Sequence, residues 1–419
     1  MKLKGVRGAP DLLPQESARW QSIEATTRSL LQRYGYAEIR TPVFERTELF
    51  VRGIGEGTDI VEKEMYTFTD RGDVSLTLRP EGTAPVARAY LEHQMAAQSP
   101  LVKVFYLGPM FRRERPQSGR YRQFHQIGVE AIGSDRPAVD AEVIDILWAL
   151  MVEEFRIPDL QLRLNSIGDA VCRPTIRDRL SRYMANRSST LCQDCQGRLT
   201  RNPLRIMDCK QPGCQQLVAE APKPIDGLCD ACAIHFAEVR DLLDLLKIPY
   251  TIDDRLVRGL EYYTKTAFEV INPRLGAQNA LAGGGRYDGL IEMVGGSPTP
   301  AMGFAVGMER VMASLPLAPE ESALHGIYVA TIGQEAQRMG MGLLQDLRRR
   351  GVRGLMDLET RSLKGQMRQA NKERVRYCLI VGEEELRRGQ AMLRDMVKAD
   401  QAPVELDQIV ERLMGLEGM

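Results

Sequence analysis

Two segments of the chain concentrate side chains that could bind a phosphate and a small zwitterion. The first reads VKVFYLGPMFRRERPQSGRYRQFHQIGVEAIG from Val102 to Gly133, with Arg112 in an arginine-rich turn between two β-like stretches. The second reads RLVRGLEYYTKTAFEV from Arg255 to Val270, with Arg258 ahead of a glycine and two tyrosines. Because the planar guanidinium group suits phosphate oxygens, these arginines predict a phosphate site. An exposed loop with compensating charges is the alternative for the first segment.

The strand from Arg122 to Ala131 predicts one packed face and one polar face, because side chains alternate along a strand. Gln126 and Glu130 share the polar face on either side of Gly128, which has no side chain. A gap between an amide and a carboxylate can receive a small polar ligand, although a solvated strand face would show the same alternation. The packed face comprises Ile127, Val129 and Ala131.

A carboxylate and several glycines could complete such a site. Glu81 lies in the turn RPEGTAP before a helix expected to begin near Thr83. It could bind an ammonium group, or it could simply be an acid at a helix N-terminus. The glycines at 283–285 and Gly307 allow a ligand to approach the backbone closely. Arg310 follows one helical turn later and could meet a phosphate or an adenine.

The cysteines predict a metal site. The chain carries two C-x2-C pairs, Cys192 with Cys195 and Cys229 with Cys232. Two such pairs fit one structural four-thiolate zinc site, and a set of reduced thiols is the alternative. Cys209 and Cys214 lie between the pairs. Cys172 and Cys378 are predicted to be ordinary thiols.

Length and composition predict two or three domains in a chain of 419 residues. The 56 basic and 56 acidic side chains cancel, so strong binding of nucleic acid by the whole chain is not expected, although local basic patches remain possible. No apolar run is long enough to cross a bilayer, and the N-terminus lacks a secretory signal. With eight cysteines, these features predict a reducing, cytoplasmic location.

The order of elements predicts a strand-rich body, an insert and a C-terminal α/β domain with a largely parallel sheet. The insert is expected at about 170–247, where cysteines, arginines and prolines become frequent. The other expected elements are a helix at 15–36, an extended segment around Pro42, a strand and helix at 76–93, a hairpin at 102–133 with a loop at 113–121, a helix at 137–156, a strand at 255–270, strand–helix units at 281–296 and 301–315, and a linker at 316–321.

Five ordered blocks carry a resemblance to a known family. EIRTPVFE is similar to class II motif 1, FRRERPQSGRYRQFHQIGVE to motif 2 and AMGFAVGMERV to motif 3. RLVRGLEYYTKTAFE and AGGGRYDGL resemble two blocks particular to the histidine enzyme. Across essentially its whole length the sequence therefore resembles the histidyl-tRNA synthetases, a class II aminoacyl-tRNA synthetase family.

The resemblance implies an α+β fold. A catalytic domain with an antiparallel sheet would span 1–320 and contain the insert, and an anticodon-binding α/β domain would span 325–419. It also implies a homodimeric histidine–tRNA ligase. Such an enzyme activates L-histidine with ATP and Mg²⁺ to histidyl-adenylate and pyrophosphate, and then transfers histidine to the 3′ end of the histidine tRNA.

The resemblance also implies roles for single residues. Arg112 and Arg258 would act on the α-phosphate as catalytic residues. Histidine would be bound by Glu81, Gly82, Thr83, Arg112, Gln126, Glu130, Arg258, Tyr262 and Tyr263. ATP would be bound by Arg112, Glu114, Arg120 and Arg310. Two loop residues, Arg115 and Gln117, would contact the tRNA.

Two other functions fit parts of this pattern. The regulatory subunit of ATP phosphoribosyltransferase resembles the enzyme but only binds histidine. It lacks the C-terminal domain, whereas this chain has one and keeps Arg258 within an intact RG-x-x-YY block. The other alternative is a synthetase-like sensor of uncharged tRNA, which the absence of an attached kinase sequence disfavours. The pattern therefore favours the ligase.

Overall fold

The chain forms two compact units, Met1–Pro316 and Leu317–Met419. The structure is a computed structural model that describes residues 3–114, 120–316, 324–359 and 361–416. Most of the predicted loop at 113–121, including Arg115 and Gln117, lies outside the described residues. Within the part of the chain that is described, no helix is long and apolar enough to cross a membrane.

The first unit is built on a large sheet of eight strands, in the order β1-β5-β6-β11-β10-β9-β7-β8. Its strands pair antiparallel, except for the outermost pairs β1 with β5 and β7 with β8. Strands β2, β4 and β3 form a small antiparallel sheet. The strands are β1 Ala37–Glu38, β2 Phe44–Arg46, β3 Tyr66–Thr69, β4 Ser75–Leu78, β5 Val102–Phe111, β6 Gln123–Ile132, β7 Gln161–Ser166, β8 Tyr250–Ile252, β9 Thr264–Ile271, β10 Ala280–Arg286 and β11 Ala301–Gly307.

Helices pack around this sheet. They are α1 Pro14–Arg33, α2 Thr47–Ile54, α3 Thr83–Glu92, α4 Pro137–Trp148, α5 Arg173–Ala185, α6 Gln193–Arg201, α7 Pro212–Ala219, α8 Asp230–Leu245, α9 Leu290–Met293 and α10 Met308–Ser314. Leu31 of α1 and Leu147 of α4 share one apolar core with Val129 of β6, and all three are fully buried. Each such side chain stabilises the fold by about 1.5–3 kcal/mol. The other face of the sheet carries apolar side chains, such as Val104 and Ile132, together with polar ones, such as Glu130.

The predicted hairpin is confirmed, since β5 and β6 pair antiparallel along their whole length. The predicted strand at 255–270 is wrong in its first half, because the strand begins only at Thr264. The preceding backbone is held by other partners. The side-chain amide of Asn165 donates to the carbonyl oxygen of Leu256 at 2.9 Å, and the backbone amide of Asp253 donates to the carbonyl oxygen of Leu164 at 3.0 Å. Arg258 therefore lies in a loop.

The segment that contains α5 to α8 leaves the large sheet after β7 and returns at β8. Because β7 and β8 are parallel neighbours, the segment begins and ends at the same edge of the sheet. Its last helix, α8, packs against α4. A hydrogen bond of 2.8 Å joins Nε2 of His235 on α8 to the carboxylate of Asp140 on α4. The segment is thus tied to the body of the first unit.

The second unit combines parallel and antiparallel strands in the order β13-β12-β14-β15-β16. Its elements are β12 Ile327–Thr331, α11 Gln334–Arg349, β13 Gly354–Met356, α12 Leu363–Lys372, β14 Tyr377–Val381, α13 Glu383–Arg387, β15 Gln390–Asp395, β16 Gln401–Glu405 and α14 Ile409–Met414. The first three strands are parallel, and the last three are antiparallel. The prediction of a largely parallel sheet is therefore wrong for the hairpin at 390–405. The carboxylate of Asp395 stabilises the turn of this hairpin by accepting from two backbone amides.

Candidate active site

A polar cavity of about 280 Å³ opens in the first unit over β6, β9, β10 and β11. It is lined by ten of the residues predicted for the site. These are Glu81, Thr83, Arg112, Glu114, Arg120, Gln126, Arg258, Tyr262, Tyr263 and Arg310. Residues separated by more than 200 positions in the chain therefore share one cavity. Gly82 and Glu130 were also predicted for the site, but they do not line this cavity.

Arg112 and Arg258 both line the cavity, each held by aromatic and polar neighbours. The guanidinium carbon of Arg112 lies 5.3 Å from the ring centroid of Phe124. The guanidinium of Arg258 lies 5.6 Å from the ring centroid of Tyr263, and its Nη1 is 3.0 Å from Oε1 of Glu269. Stacking on a ring face fixes a guanidinium group while leaving its N–H edge free to donate. Both groups can therefore donate to a ligand in the cavity.

The guanidinium group of Arg258 occupies the space that a side chain at position 283 would fill. A Cβ atom at that position would lie 2.3 Å from Nη2 of Arg258 and 2.4 Å from its Nη1. Real carbon–nitrogen contacts are far longer, so any side chain at 283 would push the guanidinium away. Gly283 thus lets the guanidinium group of Arg258 approach β10 closely.

Glu81 is the acid at a helix N-terminus that the sequence offered as one of two roles, and its binding of an ammonium group stays a prediction. Its carboxylate accepts from the backbone amide of Thr83 at 2.7 Å and from that of Ala84 at 2.9 Å, which caps the N-terminus of α3. It also lines the cavity. Burial raises the pKa of the Glu81 carboxyl, against these two hydrogen bonds that lower it. A ligand ammonium group would stabilise its charged form.

Glu130 lies behind the cavity wall, with 1% of its surface exposed. Its Oε1 accepts from the hydroxyl of Thr83 at 2.8 Å, and its Oε2 accepts from the hydroxyl of Tyr287 at 2.5 Å. Burial raises the pKa of the Glu130 carboxyl to about 8. Tyr287 was not predicted for the site, although it stands within the AGGGRYDGL block. Glu130 thus acts on the cavity through Thr83.

The predicted gap at Gly128 is filled by a tyrosine ring, so it is not space for a ligand. Tyr106 on β5 pairs directly with Gly128 on β6. A Cβ atom on Gly128 would lie 2.0 Å from Cζ of Tyr106, and one on Gly82 would lie 2.3 Å from the same ring. Both glycines therefore make room for Tyr106. The cross-strand register of the hairpin was the signal that could have revealed this.

Gln126 presents an unsatisfied group to the cavity. Its Oε1 atom is buried and has no hydrogen-bond partner among the described residues. Buried polar atoms are nearly always paired, so an orphan acceptor at a cavity wall points to a ligand donor. An ammonium group or a ring N–H would satisfy it.

Two further arginines line the same cavity. Nη1 of Arg120 lies 3.0 Å from Oε2 of Glu114. Arg310 donates from Nη1 to the carbonyl oxygen of Ala280. Burial lowers the pKa of Arg310, and the nearby charge of Arg120 acts in the same direction. Several cations close together favour a polyanionic ligand such as a nucleotide triphosphate.

Substituting Glu130 with glutamine is expected to make the stability of the first unit less dependent on pH. The unfolded carboxyl has its ordinary pKa of 4.5, and the folded one has a pKa of about 8. A raised pKa in a folded acid stabilises the fold below pH 4.5, and this contribution is lost as the pH rises through about 8. The native protein should lose up to about 1.4 kcal/mol per pH unit relative to the variant between these values. Urea unfolding of both proteins at pH 6 and pH 8 measures the difference, and parallel changes would contradict the assignment.

The two C-x2-C pairs do not form one site, so the predicted zinc set Cys192, Cys195, Cys229 and Cys232 is wrong as a single cluster. Cys192 and Cys195 instead meet the two cysteines that lie between the pairs in the sequence. The pair Cys229 and Cys232 meets Cys172, which was expected to be an ordinary thiol, and Asp169. Cys192 and Cys195 lie at the start of α6, and Cys229 and Cys232 lie at the start of α8. The two helix starts meet different ligands, which the spacing in the sequence could not show.

Comparison with known proteins places the chain in a family. A family model described as histidyl-tRNA synthetase matches residues 8–311, and one described as an anticodon binding domain matches residues 326–416. The histidine–tRNA ligase of Desulforamulus reducens is 51% identical over 411 residues, which cover 96% of this chain and 97% of that protein. The one from Moorella thermoacetica is 51% identical over 408 residues, with 97% and 96% covered.

Solved structures agree. The apo histidyl-tRNA synthetase of Staphylococcus aureus matches with a TM-score of 0.83 at 37% identity, covering 98% of this chain and 99% of that one. A Bacillus halodurans protein, titled as an ATP phosphoribosyltransferase regulatory subunit/histidyl-tRNA synthetase, matches with a TM-score of 0.64 at 21% identity, covering 88% and 96%. This second likeness extends to the fold alone.

The fold and these matches define an aminoacyl-tRNA ligase. The chain belongs to the histidyl-tRNA synthetase family. The family, the α+β fold class and the enzyme class predicted from the sequence are therefore confirmed.

Proposed function

We propose that this enzyme joins L-histidine to the histidine tRNA, and that the cavity between Arg112 and Arg258 is where histidine is activated by ATP. The observation that carries this proposal is that both guanidinium groups line one cavity with Gln126 and the pair Tyr262 and Tyr263. The lining combines cationic groups with neutral and acidic hydrogen-bonding groups. This combination suits a nucleotide next to an amino acid.

In the first step, a carboxylate oxygen of histidine attacks the α-phosphorus of ATP and the bond to the β-phosphate oxygen breaks. The products are histidyl-adenylate and pyrophosphate. Negative charge grows on the nonbridging oxygens of the α-phosphate in the transition state. Arg112 and Arg258 are fixed by Phe124 and Glu269, so they can stabilise that charge without reorganising. No protein nucleophile is needed.

The histidine ligand would lie against Glu81, Gln126 and Tyr263, which all line the cavity. The carboxylate of Glu81 is the group best suited to its ammonium, because it lines the cavity and is buried. The unpaired Oε1 of Gln126 and the hydroxyl of Tyr263 supply polar partners for the ammonium or the imidazole. Analogues without an imidazole would leave such groups unpaired, which is a strong basis for selection.

The remaining phosphates would lie among Arg120 and Arg310. Mg²⁺ prefers oxygen ligands, and the carboxylates of Glu114 and Glu269 line the same part of the cavity, so the residues present fit the ion. When bound, it would neutralise charge on the β- and γ-phosphates. Glu114 and Glu269 would then be shared between the ion and their arginine partners.

In the second step, a terminal ribose hydroxyl of the tRNA attacks the adenylate carbonyl and AMP leaves. We infer a catalytic domain at 1–320, whose insert at about 170–247 contacts the acceptor stem, and an anticodon-reading domain at 325–419. The match of 326–416 to an anticodon binding domain supports the last role. Arg115 and Gln117 are proposed as loop contacts to the tRNA. These substrates favour the cytoplasm as the site of action.

A homodimer is proposed from exposed apolar side chains in and next to the small sheet. Val43, Phe44 and Phe68 are 39%, 48% and 45% exposed. Val43 and Phe44 directly follow Pro42, in the segment similar to motif 1. Exposed aromatic and branched side chains at one place favour an interface between subunits. Light scattering of the purified chain tests this assembly.

Histidine-dependent exchange of pyrophosphate into ATP tests the proposed function. A ligase should catalyse this exchange with histidine alone among the amino acids, and it should charge the histidine tRNA in a second assay. A regulatory protein that only binds histidine would show histidine binding by calorimetry and no exchange. That second outcome would overturn the proposal.

A further inference from the structure

The first cysteine cluster has the geometry of a four-thiolate metal site. Its ligand atoms all lie within 4.8 Å of one another, and they come from Cys192, Cys195, Cys209 and Cys214. The Sγ atoms of Cys192 and Cys209 are 3.9 Å apart. The edge of a tetrahedral zinc–thiolate site with Zn–S bonds of about 2.3 Å is about 3.8 Å long. A disulfide would instead bring two sulfurs to about 2.05 Å, and all four cysteines are free.

A backbone hydrogen bond to sulfur also supports this cluster as a metal site. The backbone amide of Cys192 donates to Sγ of Cys214 at 3.3 Å. Such a bond stabilises a thiolate rather than a neutral thiol. The surrounding helices α6 and α7 have nine and eight residues. Isolated helices of that length are unstable, so a cross-link at their junction would stabilise the segment substantially.

The second cluster joins the two ends of the insert. It comprises Asp169 and Cys172 at the start and Cys229 and Cys232 at the end, again with ligand atoms within 4.8 Å. The Sγ atoms of Cys172 and Cys232 are 3.8 Å apart. The backbone amide of Asp169 donates to Sγ of Cys172 at 3.3 Å. Three thiolates and one carboxylate are a chemically suitable zinc set.

We propose that the insert binds two structural zinc ions, one held by Cys192, Cys195, Cys209 and Cys214 and the other by Asp169, Cys172, Cys229 and Cys232. Each set supplies four ligands, which leaves no open position for a catalytic water. The two ions would replace the single site that the sequence suggested. The ligand sets follow from the clusters alone and do not depend on the proposed function.

The first ion would fix a basic segment against the body of the enzyme. Arg198 on α6 and Arg205 just after it lie 3.0 Å and 3.6 Å from the carboxylate of Asp59. Asn202 donates to Oε1 of Glu261 at 3.2 Å. Glu261 stands three residues after Arg258. The cluster therefore sits on the segment that faces the Arg258 loop.

The second ion would fix the backbone next to Tyr263. Arg173, which follows Cys172, donates to the carbonyl oxygen of Tyr263. Gly168, which precedes Asp169, accepts from the hydroxyl of Thr264 at 3.1 Å. If Tyr263 binds histidine as proposed above, loss of this ion should weaken histidine binding more than loss of the first. Only this consequence rests on the proposed function.

Metal analysis of the purified full-length enzyme tests the proposal. Emission spectroscopy should find two equivalents of zinc per chain, and the variants Cys195→Ser and Cys232→Ser should each retain one. Cys378→Ser removes a buried free cysteine of the second unit and should retain two, which controls for loss of a thiol. One equivalent or none in the unmodified enzyme, or iron in place of zinc, would overturn the proposal.

A second measurement keeps the test decisive if a variant fails to fold. The unmodified enzyme is titrated with a mercurial reagent while a chromogenic chelator reports released zinc. Release should require modification of the seven cysteines of the two clusters and should reach two equivalents. Substitution with Co²⁺ should give the visible absorption of tetrahedral thiolate coordination. Free reaction of these seven thiols without zinc release would contradict both sites.

Discussion

Replacing Arg258 with alanine is expected to slow histidine-dependent pyrophosphate exchange by about 10²- to 10³-fold, the effect of removing one fixed donor from a developing anion. The affinity for histidine should change much less, because the negative charge that Arg258 is proposed to stabilise grows on the α-phosphate only in the transition state. Its fixed position against Tyr263 and Glu269 makes it effective at the transition state. Exchange rates at saturating histidine, with calorimetry of histidine binding, separate the two effects.

Arg255→Ala is the matched control for this change. Arg255 lies three residues earlier in the same loop and is exposed. Its removal takes away the same charge from the same segment without touching the cavity, so exchange should stay near the native rate. Near-normal exchange in Arg258→Ala, or an equal loss in both variants, would refute the role given to Arg258.

Gly283→Ala gives a second view of the same role without removing the arginine. The new Cβ atom would fall 2.3 Å from Nη2 of Arg258, and the flexible guanidinium can give way more easily than the strand. We expect a loss of exchange in the same direction as for Arg258→Ala, with the protein still folded. Gly289→Ala is a suitable control, because its Cβ atom would meet nothing closer than 3.7 Å.

The sequence predicted which residues share the cavity but not how deep each lies. Alternation along one strand correctly placed Gln126 and Glu130 on the polar face. It could not show that Tyr106 crosses from the neighbouring strand and fills the space over Gly128. Depth depends on cross-strand partners and on covering groups such as Tyr287. A single-strand pattern carries no information about these.

The same limit explains the other differences in fold and metal ligation. The apolar and aromatic residues after Arg255 have strand character. However, the carbonyl oxygen of Leu256 accepts from the side chain of Asn165 on β7, and the backbone amide of Asp253 donates to Leu164. These pairings arise only in the folded chain. The C-x2-C pairs predicted metal binding, which stays a prediction. They did not show their partners, because Cys172 and Asp169 are about sixty residues from Cys229 in the sequence and reach it only through the fold.

Replacing Asp140 with alanine is expected to destabilise the first unit by about 3–5 kcal/mol, because it leaves a buried arginine without its closest counter-charge. Asp140 and Arg286 are both fully buried, and Nε of Arg286 lies 2.9 Å from Oδ1 of Asp140. The other carboxylate oxygen accepts from Thr266 at 2.6 Å and pairs with His235 at 2.8 Å. One carboxylate therefore joins α4, α8, β9 and β10.

Urea unfolding followed by tryptophan fluorescence measures this loss, because Trp20 and Trp148 both lie in the first unit and are the chain's two tryptophans. Asp145→Ala is the matched control on α4. Its carboxylate accepts one hydrogen bond, from Tyr34 at 2.8 Å, at a partly exposed position, so it should cost only about 0.5–1.5 kcal/mol. Equal losses in the two variants would contradict the large contribution to stability assigned to Asp140. A larger loss for Asp140 would support the buried pair with Arg286 as its cause.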